Sequence, residues 1–251
     1  MLVLLPPSEM KHPGGRGRPL DLGGLALPGL RPQRELVVDA LVTLAADEDA
    51  SARVLKLSER QRGDIAHNAA LRTAPTMPAV DRYTGVLFDA LDAASLDAAA
   101  RRWLGAHVLV HSAPFGPVAA LDPIPAYRLG AATSLPGVPA LKRLWAGAVT
   151  EALGTESRFV LDLRSEAYAA LGPVPAGVRT VFLRVVTAGE DGTTRALNHF
   201  NKHAKGELVR RLATERPRIG SVAALRTWAA ASGLDLRDSA TQKPGELDLV
   251  V

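Results

Sequence analysis

The sequence predicts a mixed fold, α/β or α+β, in a single compact domain spanning residues 1–251. Three observations predict it. Short apolar, β-branched runs end at proline or at charged residues, the signature of buried strands. Between them lie stretches whose apolar residues recur at helical spacing. A length of 251 residues with 47% hydrophobic and 22% charged content suits a soluble globular chain that buries a sizeable core. No internal repeat and no clean linker divides it.

Taken in order, Leu2–Leu5 is an apolar run stopped by Pro6-Pro7, so it reads as a buried strand with a broken end. Ser8, Glu9 and Lys11 then emerge at a strand end, where open sheets usually keep their chemistry. His12–Gly24 is rich in Gly, Pro and Arg and predicts an exposed, mobile loop. Gln33–Ala46, Ala50–Arg62 and Asp64–Ala74 predict three helices, and Ala79–Leu91 an aromatic and glycine turn leading into a fourth. His107–Val110 is the next short buried strand. Ser112–Gly130 holds four prolines and predicts a long irregular segment, a length that is usually functional.

Ser134–Leu153 reads as a turn followed by a helix, and Phe159–Leu163 as a strand ending at Arg164-Ser165-Glu166. Thr180–Val186 is another strand, with a hairpin partner near Thr194–Leu197. Val222–Ala231 is a helix and Leu247–Val251 a last short strand. Ala196–Arg211 predicts a helix with three stripes. Phe200, Ala204, Leu208 and Leu212 form an apolar one; Asn198, Lys202 and Lys205 a second; His199, His203, Gly206 and Arg210 a third. A mid-helix glycine costs about 1 kcal/mol against alanine, which Gly206 justifies if something approaches the backbone closely. Lys202 and Lys205 beside it read either as a phosphate-binding face or as a solvated basic one.

Composition sets outer limits. The absence of cysteine excludes disulfides, thiolate metal sites and thiol peroxidase chemistry, and is compatible with a cytoplasmic location. MLVLLPPSE lacks the positive n-region of a signal peptide, and no run of about 18 apolar residues predicts a membrane span. Net charge is +4 and the sequence pI about 9.7, with arginine the prevailing cation. Arginine forks onto phosphate or carboxylate, so this balance permits a polyanionic partner such as nucleic acid; a GC-rich coding sequence gives the same bias.

Several constellations bear on chemistry. Ser8, Glu9 and Lys11 form either an acid–base group, with Lys11 a nucleophile toward carbonyls if desolvated, or a local ion pair tying down a loop. His199 and His203 stand at i, i+4, but the zinc motif of that spacing needs glutamate where Phe200 stands. His107 and His111 would share a strand face. Neither pair has an evident carboxylate third ligand, so no metal and no cofactor is expected. Leu135-Pro136-Gly137-Val138 matches the hairpin of helix-hairpin-helix elements, in which backbone N–H groups meet a DNA phosphate. Lys142 and Arg143 follow it; Pro139 departs from the usual glycine. Tyr83, Phe115, Tyr127, Trp145 and Tyr168 either fill gaps under loops or offer stacking surfaces for bases.

Together these segments resemble the YaaA family, the peroxide-stress proteins. The carriers are PPSEMK at Pro6–Lys11, YTG at Tyr83–Gly85, HSAPFGPVAALDPIPAYRLG at His111–Gly130, the Trp145 helix, LDLRSEAY at Leu161–Tyr168, NKHAKG at Asn201–Gly206 and the final GELDLVV. They cover nearly the whole chain in the family's order. The sequence departs at His111, at Pro114 and in the Gly/Arg-rich loop after Lys11. The resemblance implies a single-domain mixed α/β protein with a positively charged cleft that binds double-stranded DNA through a helix-hairpin-helix element during peroxide stress. It groups Lys11, Tyr83, Arg128, Ser165, Lys202 and Lys205 around that cleft, and Tyr127 and Tyr168 are further candidates for its lining.

The leading expectation is a monomeric DNA-binding stress protein. Lys202, Lys205, Gly206, Arg210, Lys142 and Arg143 would meet phosphates, and the Pro136, Gly137 and Val138 turn would add backbone donors. With no base-reading helix pattern, sequence specificity should be weak. The alternative is an enzyme acting on a nucleotide or damaged base through Ser8, Glu9, Lys11, Ser165 and Lys202; a third is a ligand-binding protein without chemistry.

Overall fold

The computed structural model of the chain describes residues 1–188, 194–195 and 198–251, and the side chains of residues 1–187 and 201–251. The first strand, β1 (Leu2–Leu5), is followed by a long loop and then by helices α1 (Arg31–Leu44), α2 (Glu48–Leu55) and α3 (Ile65–Ala69). Next come β2 (Met77–Pro78), α4 (Ala79–Arg82), α5 (Val86–Leu91) and α6 (Ala98–His107), then β3 (Val108–Ser112), β4 (Gly116–Ala119) and β5 (Pro123–Ile124). The second half runs through α7 (Leu141–Gly154), β6 (Val160–Asp162), α8 (Glu166–Ala169), β7 (Thr180–Ala188), β8 (Thr194–Arg195) and α9 (Asn198–Glu215). It ends with α10 (Val222–Ala231), β9 (Asp235–Asp238) and β10 (Glu246–Val250). Side-chain caps start three helices: Asp47 accepts from Ala50 N at 2.9 Å, Asp97 from Ala100 N at 2.7 Å and Ser221 from Ala224 N at 3.2 Å.

The strands named by their apolar runs do share one sheet, in the order β4-β3-β1-β6-β7-β10-β9, with β8 pairing to β7. The neighbours β3-β1-β6-β7-β10 are all parallel, and the edges β4 and β9 antiparallel. All residues of β1, β3 and β6 are buried, which explains why they read as continuous apolar runs rather than alternating ones. Trp145 anchors α7 to the sheet: its ring is fully buried and its Nε1 donates to Ala113 O at 3.0 Å.

The structure corrects several boundaries. His107 closes α6 rather than opening β3, and its Nδ1 lies 2.7 Å from Met1 O, so His107 and His111 share no strand face. The Ala50–Arg62 stretch breaks at Lys56, which is left-handed (φ 53°), and continues as a 3-10 turn over Glu59–Asp64. Ala79–Leu91 breaks at Tyr83–Gly85, where Gly85 has φ +93°. Ser112–Gly130 is not structureless, since it contains β4 and β5.

His12–Gly24 is anchored rather than loose. Gly17 N donates to Thr76 O at 2.9 Å, and a Cβ at Gly15 would sit 2.5 Å from that same oxygen. Arg82, fully buried, donates to Gly14 O (2.7 Å), Ile124 O (3.1 Å) and His12 O, pinning the loop to β5. The Leu135–Val138 turn forms as expected, with Val138 N on Leu135 O at 3.3 Å and Gly137 at φ +72°. Residues 125–135 before it hold no helix, so the element is a turn plus one helix, α7, and not a helix-hairpin-helix.

Candidate functional site

Strand order places a crevice. From the end of β1 the chain travels to β3 on one side; from the end of β6 it travels to β7 on the other. The connections therefore diverge between the C-terminal ends of β1 and β6, the position where open parallel sheets hold ligands. A pocket of about 640 Å³ opens there, lined by Pro7, Ser8, Glu9 and Lys11 after β1, by Val54–Lys56 at the end of α2, by residues 128–134, and by Tyr168 of α8. Three basic side chains, Lys11, Lys56 and Arg128, face one carboxylate, Glu9, in that lining.

Lys11 is positioned by backbone pairing. The segment after β1 runs antiparallel to residues 82–84, with Lys11 and Tyr83 in a β-bridge, His12 N on Arg82 O at 2.8 Å and Thr84 N on Met10 O at 3.1 Å. The Lys11 amine donates to Ser8 O and Glu9 O, both at 3.0 Å. It lies 4.0 Å from the Tyr127 ring centre and 5.5 Å from that of Tyr83. Burial and the neighbouring Arg128 charge push its pKa down to about 7. The carboxylates of Asp64 and Glu9 pull the other way, as do the two phenol faces through cation–π attraction.

All three tyrosines of the chain gather here. Tyr83 and Tyr127 share a 2.8 Å hydroxyl hydrogen bond, and Ser112 Oγ at the end of β3 donates to Tyr127 at 3.2 Å. Burial raises the pKa of both phenols, and of Tyr168 in the lining, so they stay protonated. Tyr83 and Tyr127 are 2% and 3% exposed, so they support the floor and offer no face to a base.

Arg128 is fixed by its backbone. Buried Asn68 of α3 donates to Arg128 O at 2.9 Å and accepts from Arg128 N at 2.8 Å, imitating a strand neighbour. The guanidinium reaches Glu9 at 3.4 Å and Asp64 at 3.9 Å, and its side chain is 18% exposed. These are long contacts to exposed carboxylates, so its donors are largely available to an anion. Sequence reasoning missed Asn68 altogether: an asparagine on a short helix carries no local sign that its partner lies 60 residues away.

Beneath the floor is a buried ionic group. Arg164 holds Asp162 with two bonds, at 2.9 and 2.6 Å, and donates to Gly172 O and to His111 Nδ1, each at 2.9 Å. Because arginine only donates, His111 Nδ1 is the acceptor and Nε2 carries the proton. Burial and the Arg164 charge hold the His111 pKa well below its usual value, so the ring is neutral. This group braces the end of β6 against β3.

The α9 residues behave differently from the sequence reading. Lys202 is exposed but Lys205 is buried, so they do not present one open face. Burial pushes the Lys205 pKa down to about 8, with Asp162 opposing. Gly206 does admit a close neighbour, but the neighbour is α5: a Cβ there would lie 2.1 Å from Leu87 O. Arg210 donates to Leu91 O, Asp92 O and Ser95 Oγ at 3.0, 2.9 and 2.8 Å, capping the end of α5. Gly206 and Arg210 are thus packing and capping residues.

Elsewhere, Lys142 and Arg143 are exposed in the first turn of α7. Pro136, Gly137 and Val138 line a groove with Asp39 and Asp47, whose carboxylates would repel a phosphate. Ser165 is exposed before the four-residue α8 and lies outside the pocket lining. Ser8 Oγ accepts from Met10 N at 3.3 Å and, among the described residues, pairs with no base. His203 meets Glu207 at 3.3 Å; the His199 side chain lies outside the described residues. Among the described residues no three His, Cys, Asp or Glu side chains converge on a metal position, and no helix is long and apolar enough to cross a membrane.

Residues 1–240 match the family described as Peroxide stress protein YaaA. Among relatives, a UPF0246 protein of Corynebacterium efficiens is 47% identical over 227 residues, covering 89% of each chain. One from Corynebacterium glutamicum is 42% identical over the full length of both chains, and one from Streptomyces coelicolor is 49% identical over 84% of this chain and 82% of its own.

Proposed function

The chain belongs to the family of peroxide stress protein YaaA, and from that premise we propose that it acts in the peroxide stress response by holding duplex DNA against the pocket between β1 and β6. Contacts run to phosphates, with little sequence preference. The observation that supports this most is the convergence of Lys11, Lys56 and Arg128 on the crevice of a parallel sheet, with Arg128 clamped by Asn68. This is the positively charged cleft of the proposal. Arginine fixed in place with free donors suits phosphate. Lys142, Arg143 and Lys202 are exposed as well and are offered as further phosphate contacts. Lys205, Gly206, Arg210 and the Pro136–Val138 turn are left out of the contact set, because packing or nearby carboxylates occupy them. We take the protein as one domain, monomeric and cytoplasmic.

A second reading, turnover of a nucleotide or damaged base, is favoured by one residue. The pKa of Lys11 is pushed down to about 7, whereas among the described residues Ser8 has no base, Glu9 is exposed and paired with Arg128, and Ser165 and Lys202 lie outside the pocket lining. Fluorescence anisotropy of labelled duplexes over a salt series tests the binding reading. Log K should fall linearly with log salt, with a slope of about −0.9 for each phosphate engaged, alike for unrelated sequences. Absence of binding at low salt, or binding that ignores salt, would overturn it.

A further inference from the structure

The Lys11 amine has an unusual set of neighbours for a lysine in an anion-binding pocket. Two backbone carbonyls, Ser8 O and Glu9 O, take two of its N–H groups at 3.0 Å. A neutral amine has two N–H groups and one lone pair, so these carbonyls satisfy its N–H groups, and among the described residues no donor occupies the lone pair, which takes the remaining position near the Tyr127 ring. The ammonium form would place its third N–H near the Tyr127 face, 4.0 Å away. Both protonation states are therefore accommodated, and burial beside Arg128 brings the balance to about pH 7. Among the described residues no carboxylate touches the amine; Glu9, the nearest in sequence, turns its side chain to Arg128. An amine of this kind is an activated nucleophile rather than a point charge.

We propose that Lys11 forms an imine with an aldehyde carried beside a phosphate group, the phosphate being held by Arg128 and Lys56. The amine lone pair attacks the carbonyl carbon to give a carbinolamine. The carbinolamine loses the former carbonyl oxygen as water, which carries away both amine protons. One C=N bond forms, one C=O bond breaks, and no oxidant or reductant is consumed. Arg128 and Lys56 make the choice of substrate: an aldehyde without an anion nearby lacks their contacts. The inference rests on the pocket as a phosphate site but not on duplex DNA. The same chemistry is offered by an abasic deoxyribose within a duplex and by a free aldose phosphate.

The test uses the full chain with sodium cyanoborohydride and three probes: a duplex with one abasic site, the same duplex with a tetrahydrofuran in its place, and ribose 5-phosphate. Intact mass and peptide mapping read the adduct, and anisotropy on the tetrahydrofuran duplex reads non-covalent binding separately. At least one aldehyde probe should give an adduct that maps to Lys11 in the wild type. Its yield should fall at least tenfold in Lys11→Arg, stay unchanged in Lys243→Arg and vanish with tetrahydrofuran. Failure of both aldehyde probes, or adducts spread over the other lysines, would overturn the proposal. Because mapping is done on the wild type, the result stands even if the Lys11 variant folds poorly. An adduct with ribose 5-phosphate without duplex binding would uphold Lys11 and remove the DNA reading; duplex binding without any adduct would do the reverse.

Discussion

Two stretches of this chain carry the same residue types and do opposite things with them. After β1, Lys11 and, across the pocket, Arg128 are positioned by backbone pairing; the Arg128 guanidinium makes only long carboxylate contacts, while the Lys11 amine rests on the Ser8 and Glu9 carbonyls at the pocket wall. In α9, Gly206 and Arg210 are held against α5 through the lack of a side chain and through the side chain itself, and Lys205, between them and the exposed Lys202, is buried. Cations and a glycine at helical spacing describe both a ligand site and a helix–helix seam. What separates them is where the polar atoms end, and that is fixed by elements distant in sequence.

The largest expected effect breaks the seam. At Gly206 the obstructing atom is a carbonyl oxygen of α5, which has no rotamer to escape into. Gly206→Ala should cost about 3 kcal/mol, the upper end for overpacking, seen as a lower urea midpoint with an unchanged slope; Gly206→Leu should not fold. Wild-type stability in Gly206→Ala would mean the seam is loose.

Next is Asn68→Ala, on the pocket side. It leaves the Arg128 N–H and C=O without their buried partner and should destabilise by about 2 kcal/mol. Unlike Gly206→Ala, it should also weaken duplex binding in the folded protein, because Arg128 loses its fixed backbone. Equal loss of stability without loss of affinity would mean that Arg128 is not the anchor.

Arg210→Ala removes three hydrogen bonds from a partly exposed side chain and should cost about 1 kcal/mol. Thermal unfolding checks this. Duplex affinity should stay at the wild-type value.

The gentlest probe is pH. The folded-state pKa of Lys11, about 7, lies below its ordinary value of 10.5. Between these values the unfolded chain binds more protons than the folded one, so the Lys11 contribution makes stability rise with pH across that window. The penalty is complete below pH 7 and gone above 10.5. Lys205 adds a second rise that begins near pH 8. In Lys11→Met, urea midpoints measured from pH 6.5 to 9.5 should climb less than in the wild type. An identical climb would mean the tyrosine faces hold Lys11 at its ordinary pKa.

Much of the sheet was legible because its central strands are covered on both faces and so appear as unbroken apolar runs, as in Leu2–Leu5 and Phe159–Leu163. The edge strand Asp235–Asp238 is too polar to show that signal, and Gly116–Ala119 is hidden between prolines. The site was half legible. Proline ends β1 and delivers Lys11 to a strand end, which is a local fact. That Arg128 is clamped by Asn68, that Arg82 staples the loop after Lys11, and that Lys205 is buried depend on packing between distant segments. Helical spacing alone put Lys202 and Lys205 on one face, and it carries no information on which part of that face α5 and β7 cover.

The most direct test of the difference between the two stretches is duplex binding by Arg128→Ala and Arg210→Ala, measured side by side across a salt series. Both remove one arginine, so net charge changes equally. The account predicts that Arg128→Ala weakens binding to all sequences and reduces the slope of log K against log salt by about 0.9, while Arg210→Ala leaves affinity and slope unchanged. Equal losses in the two variants, or a loss confined to Arg210→Ala, would contradict it.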